Sequence, residues 1–123
     1  SNRCYKHYKE DRLAYAEAAC REGIKVAKKL VDIPRLDERD FEEPSGDSKA
    51  MQALSALYYN LGLALEKRGA KKLALAEYVR AAYFSNGSSK GALKKLKELG
   101  YKSICDEPAE RAPCRALDYC CYQ

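Results

Sequence analysis

The chain has no tryptophan, one histidine, one methionine, two phenylalanines and four prolines. A single histidine leaves little for acid–base chemistry. His7 stands near a free end, and no serine or cysteine has an evident base beside it, so nucleophilic catalysis is not expected. The glutamates Glu17, Glu22, Glu66, Glu77 and Glu98 sit among lysines at helical spacings, as surface ion pairs do. Also missing is any CxxC pair. The one ligand-like spacing is Cys4-x2-His7, too little for a metal centre, and no cofactor is implied. No run approaches the roughly 18 apolar residues of a membrane-spanning helix. A secretory apolar segment is absent too, so export would imply a signal already removed.

What remains is a chain of 123 residues, 46% apolar and 33% charged. That describes one soluble globular domain with a modest core. Six cysteines are many for this length. Reducing cytosol rarely maintains such a set, which points to an oxidising compartment, outside the cell or periplasmic. The net charge of +5 is unevenly divided. Between Asp32 and Asp47, seven acids face Arg35 and Arg39, a local −5 that leaves +10 elsewhere. Lys25, Lys28 and Lys29 could meet a polyanion, but an exported chain with an acidic loop is not expected to bind nucleic acid.

Taken in order, residues 2–31 read as one long helix. Tyr8, Tyr15, Ala16, Ala19, Cys20, Gly23, Ala27, Leu30 and Val31 form a stripe at spacings of three and four, opposite a charged side that includes Glu17, Arg21 and Lys25. Residues 32–47 hold two prolines and the acid excess, and read as a connection with one short helical turn over 36–41. Asp47 or Ser48 then caps a helix running to about Arg68, and Gly69 ends it. A further helix spans roughly 70–84, and a short capping helix, with Ser88 as its cap, lies within 88–100. Ala92, Leu93, Leu96 and Leu99 form its apolar side. Beyond Tyr101 the pattern stops. The tail, 101–123, is broken by Pro108 and Pro113 and carries four of the cysteines.

The most informative stretch is 55–88. Tyr58, Leu61, Gly62 and Leu65 recur at helical spacing, and after Gly69 so do Leu73, Ala74, Leu75, Tyr78, Ala81 and Ala82. An aromatic, two residues, Leu61-Gly62, then a large apolar residue, followed by Ala74, Tyr78 and Ala81, resembles the tetratricopeptide repeat, and the related Sel1-like repeat shares most of these positions. Asn86-Gly87 replaces the usual proline, and Tyr58 stands for tryptophan. Gly62 and Ala74 fall where the two helices would approach most closely. The implied fold is all-α: a TPR/Sel1-like α-α hairpin array of about four main helices, 1–123 forming one domain, with the repeat-like hairpin over 48–86 and a disulfide-stapled irregular tail.

Six cysteines allow fifteen pairings. On one unbroken helix, Cys4 and Cys20 stand about 24 Å apart, far beyond the roughly 7 Å that a disulfide bridges. A vicinal Cys120–Cys121 bridge is strained. Nor can those neighbours hold both helix cysteines, since two bridges and one peptide step reach only about 17 Å. The expectation is that Cys4 and Cys20 each bond to the tail, with a third bridge from Cys105 or Cys114 to Cys120 or Cys121. A break near Glu10-Asp11 would void that argument and readmit Cys105 to Cys114.

The family resemblance implies binding through the concave face made by the first helix of each hairpin. Carried onto this chain, that face holds Ala56, Tyr59, Leu63, Glu66 and Lys67, joined by Lys90, Leu93 and Lys97. Some members clamp a peptide carboxylate with asparagine and basic residues, and a repeat length of 34 puts Asn60, Lys90 and Lys94 at such positions. Aligning the leucines of the capping helix instead shifts that count by one. The expected function is a non-catalytic protein- or peptide-binding scaffold, open to an edge-to-edge homodimer through its repeat ends. The alternative is a secreted helical carrier of a small apolar ligand, with some of the ten tyrosines lining its pocket.

Overall fold

Two helices stand where the sequence reads as one. The computed structural model describes residues 2–32, 44–85 and 88–99, and in it α1 (Asn2–Lys9) and α2 (Leu13–Lys28) are separated by a sharp turn. Asp11 makes that turn with a positive φ of 62°, a left-handed conformation that aspartate tolerates better than most residues. Its N–H donates to Tyr8 O, and Arg12 N–H donates to His7 O at 2.8 Å. α1 therefore folds back on α2. Cys4 and Cys20 come within 5.0 Å at Cα and form a disulfide with each other. This overturns the expectation that both bond to the tail: the 24 Å separation held only for an unbroken helix. Both cysteines are buried, at 1% and 0% exposure, so the bridge lies inside the core.

The buried face of α2 is Ala16, Cys20, Ile24 and Ala27. Tyr15 and Leu30, which the continuous stripe includes, are 66% and 60% exposed: Tyr15 lies a helical step away from the buried face, and Leu30 falls beyond the last residue of α2. Glu17 is not simply solvated. Its carboxylate accepts two hydrogen bonds from Arg68, one from Nε at 2.8 Å, which links α2 to the end of α3.

After α2, strand β1 (Val31–Asp32) pairs antiparallel with β2 (Ser45–Gly46), Val31 opposite Gly46 and Asp32 opposite Ser45. The two ends of the acidic segment therefore lie side by side. The helical turn over 36–41, the Asn86-Gly87 stop, the closing Gly100 and the tail 101–123 fall outside the described residues.

α3 (Ser48–Lys67) is the central helix, packed on α2 along one side and on α4 (Lys71–Phe84) along the other. Asp47 caps it, its carboxylate accepting from Ala50 N–H at 2.9 Å. It ends at Gly69, whose φ of +92° suits a residue without Cβ. Tyr58, Leu61, Gly62 and Leu65 are buried, as are Ala74, Leu75, Tyr78, Ala81 and Ala82, whereas Leu73 is 56% exposed. At Gly62 the helices meet tightly: a Cβ there would lie 2.5 Å from Cε1 of Tyr78. Ser55 adds a buried tie, donating to Ala81 O at 2.8 Å. α5 (Lys90–Glu98) packs on α4, burying Ala92 and Leu96. Its cap is Ser89, one residue later than expected, accepting from Ala92 N–H at 3.3 Å.

Candidate binding surface

α3 buries the sides turned to α2 and α4, which leaves its remaining face between α1 and α5. Most of the expected partner-binding residues lie there. Ala56 and Lys67 are exposed, while Tyr59, Asn60, Leu63 and Glu66 are half-buried. From α5, Lys90, Lys94 and Lys97 are exposed and Leu93 is half-buried.

Their contacts separate them into two flanks. On the α5 flank, the Tyr59 ring lies 5.6 Å from that of Tyr78 and against the backbone of Gly91, where a Cβ would come within 3.2 Å of it. Glu66 accepts from the Tyr78 hydroxyl at 2.6 Å and pairs with Lys95 at 3.3 Å, through the same carboxylate oxygen. Burial, then the bond to Glu66, pushes the Tyr78 hydroxyl well above the ordinary tyrosine pKa. Glu66 thus acts as a junction of α3, α4 and α5. Lys95, expected to face outward with Lys90, Lys94 and Lys97, is half-buried instead, because it sits three residues after Ala92 and four before Leu99, on the apolar side of α5.

On the α1 flank, Lys67 Nζ stands 5.1 Å from the Tyr8 ring centroid and 3.1 Å from Asp11 Oδ1. Asn60 is seven residues earlier on the same helix, about 20° from Lys67 around the axis, so it shares this flank. The side of α3 that meets α5 carries Tyr59 and Glu66. Asn60 is the next residue after Tyr59 along the helix and is half-buried, while Lys90 and Lys94 are exposed on α5. Lys94 lies 3.9 Å from Glu98.

Beyond the start of α5, the N-terminal half of α3 is uncovered on that side, and a groove of about 640 Å³ opens there. Met51, Ala56, Tyr59 and Phe84 give it apolar surface, and Ser48, Ser55, Ser85, Ser88 and Ser89 line it with hydroxyls. Most of these hydroxyls are tied into the fold. Ser55, Ser85 and Ser88 donate to the carbonyls of Ala81, Ala82 and Ser85, and Ser89 caps α5. The groove is pre-shaped by those bonds.

A second groove, of about 540 Å³, runs between α2 and the start of α3. It is lined mainly by Gly23, Val26, Ala27, Leu30, Ala53 and Leu57, with Arg3, Glu22, Asp47 and Lys49 also at its walls. It is the more apolar of the two. Sequence reasoning missed it because Val26 falls outside the apolar stripe, whereas Leu30 reads as part of the buried side.

His7 is half-buried, its ring 5.7 Å from Tyr15 and its Nδ1 shielded from solvent. Cys4 is spent in the disulfide and provides no thiolate for the Cys4-x2-His7 spacing. Among the described residues no cluster of histidine, cysteine or acidic side chains could hold a metal ion, and no helix is long and apolar enough to cross a membrane. Comparison of the chain with protein-family models, with curated proteins and with solved structures gives no match.

Proposed function

We propose that this protein is a non-catalytic binding scaffold of the helical-repeat type, exported to an oxidising compartment, that receives an acidic peptide segment along the outward face of α3. The observation that carries the reading is the groove beside Ala56 and Tyr59: it is open and apolar-walled, and it ends at the start of lysine-rich α5. Apolar surface supplies affinity, while the exposed Lys90, Lys94 and Lys97 favour carboxylates and speed encounter. The Cys4–Cys20 disulfide supports the oxidising setting. Tetratricopeptide or Sel1-like character rests on the 55–88 motif residues and on helices that pack in chain order, each against the next.

The test is selection from a random peptide library, followed by fluorescence anisotropy of the enriched peptides at low and high salt. Enrichment of Asp and Glu, affinity falling at least tenfold on raising salt, and a similar loss with Ala56→Glu are expected. Ala56 is exposed, so that variant keeps the fold. Peptides without acidic enrichment, or binding untouched by Ala56→Glu, would sink the reading.

A second reading, the carrier of a small apolar ligand, is favoured by the α2–α3 groove and its exposed Val26 and Leu30. Uptake of an environment-sensitive apolar dye, abolished by Val26→Asp and untouched by Ala56→Glu, would support it over peptide binding.

A further inference from the structure

Away from both grooves, the outer side of α2 gathers four cations. Arg21, Lys25, Lys28 and Lys29 are all exposed, and at 3.6 residues per turn they fall within an arc of about 100°. Their Cα atoms span about 12 Å along the axis, at 1.5 Å per residue. The other α2 residues on that arc are Ala14 and Ala18, both exposed. Among the described residues, none of the four cations has a carboxylate within 4.0 Å. The acids of α2 are occupied or set apart: Glu17 accepts two hydrogen bonds from Arg68, and Glu22 stands at the wall of the α2–α3 groove. Arg21 and Lys28 feel the charge of Glu77, but that carboxylate is buried and bonded to Arg80 at 2.7 Å. Lys28 is also held in place, its Nζ 5.9 Å from the centroid of the Tyr58 ring.

Four charges in a row do not converge on a point, so a single small anion would meet only one or two of them. A chain that repeats its charge meets all four. Most polyanions make a further demand that this face does not answer. A protein partner needs an apolar or aromatic anchor at the centre of the contact, where lysine is depleted. An anionic membrane is held by cations together with large apolar side chains that enter it. Single-stranded nucleic acid stacks its bases on aromatic rings. Here only two alanines lie between the cations, and the Tyr58 ring is buried. Duplex nucleic acid asks for charge alone, but the oxidising compartment indicated by the Cys4–Cys20 bridge is not where it resides. An acidic polysaccharide asks for charge alone and is found there.

We infer that the outer face of α2 is a docking surface for an acidic polysaccharide, whose carboxylates or sulfate esters run along Arg21, Lys25, Lys28 and Lys29. The choice of a polysaccharide rests on the export proposed for this chain, whereas the cationic face does not. Three of the four cations are lysines, point charges without the planar fork that selects one oxyanion geometry, so the charge density of the polymer sets the affinity. Binding releases counterions and weakens as salt rises.

The surface is tested on the intact, oxidised protein by calorimetric titration with dextran sulfate, alginate and neutral dextran at matched ionic strength. Dextran sulfate should bind most tightly, alginate more weakly and neutral dextran not at all, with the dextran sulfate affinity falling at least tenfold on a roughly fourfold rise in salt. Arg21→Gln/Lys25→Gln should weaken dextran sulfate at least tenfold and leave the circular dichroism unchanged, because both side chains are exposed. Lys6→Gln/Lys9→Gln removes the same charge from exposed positions on α1 and should alter the affinity by less than about twofold. Acidic peptides selected for the α3 face should bind the Arg21→Gln/Lys25→Gln protein as they bind the native one, so the two surfaces stand or fall separately. Alginate binding would show that carboxylates suffice, and its absence would restrict the ligand to sulfate esters. Equal losses in the two double variants, or no binding of either acidic polymer, would overturn the surface. Tighter binding of a DNA duplex, or of phosphatidylglycerol vesicles, than of dextran sulfate would overturn the polysaccharide.

Discussion

Cys4 and Cys20 are sixteen positions apart in sequence and 5.0 Å apart at Cα, joined through the core by a bridge that the turn at Asp11 makes reachable. Digestion of the unreduced protein should yield a cross-linked pair of peptides containing these two residues, separated by reductant. Cys4→Ser/Cys20→Ser together should lower stability by about 3 kcal/mol, the expectation for a loop of this length, measured by denaturant unfolding. Recovering Cys20 linked to a tail peptide instead would refute the pairing.

Gly62 faces the Tyr78 ring, and a methyl there would sit 2.5 Å from Cε1. Alanine is the better helix former by about 1 kcal/mol, yet overpacking costs typically 1–3 kcal/mol. The clash involves a buried ring wedged between Gly62 and Glu66, so packing should prevail. Gly62→Ala is expected to lower the unfolding midpoint, and Gly62→Ala/Tyr78→Leu to recover much of the loss.

Gly46 and Gly69 both have positive φ but differ in surroundings. A Cβ at Gly46 would meet Leu30 O at 2.6 Å and Val31 Cα at 2.9 Å, whereas at Gly69 it meets nothing within 4 Å. Gly69→Ala should therefore cost only the backbone penalty, about 1 kcal/mol. Gly46→Ala should also part the ladder. Hydrogen exchange of the Asp47 amide, which donates to Leu30 O, would accelerate in the Gly46 variant and stay native in the other.

Glu77 sets a pH dependence. Burial raises its folded pKa above 4.5, opposed by Arg80, Arg21 and Lys28, with the Tyr58 ring also lining the site. The folded state therefore holds this proton more tightly than the unfolded one. Its contribution is complete below pH 4.5 and is lost as pH rises through the folded value. In parallel denaturations, the native protein should gain on Glu77→Gln as pH falls from 7 toward 4.5. A pH-independent difference would show that the carboxyl titrates normally.

The hairpin of α3 and α4 was readable because its side chains repeat at helical spacing and a glycine divides them: Tyr58, Leu61, Gly62 and Leu65 are all buried. The turn at Asp11 was not, since neither glycine nor proline marks it and the apolar residues on both sides mimic one stripe. A left-handed aspartate leaves almost no trace in a periodicity. The disulfide depends on the same turn: Cys4 and Cys20 would be about 24 Å apart only on a continuous helix, and the turn brings them to 5.0 Å. Two-residue strands are shorter than any pattern can reveal, so the β1–β2 ladder was invisible too. On the candidate surface, α3 is placed by its period, but the role of Glu66 follows only from its contacts with Tyr78 of α4 and Lys95 of α5. The burial of Glu77 is likewise not announced by a glutamate that sits among basic residues at helical spacing.

Pairing Val31 with Gly46 and Asp32 with Ser45 brings entry and exit of the acidic segment to one point. Geometrically this decouples its length from the helices, because whatever lies between the strands starts and finishes at the same anchor. Loop-closure entropy rises only logarithmically, about 0.6 kcal/mol per doubling of length. The chain therefore offers a natural port, where an epitope, a recognition sequence or a whole small domain can be grafted while the flanking helices α2 and α3 keep their register.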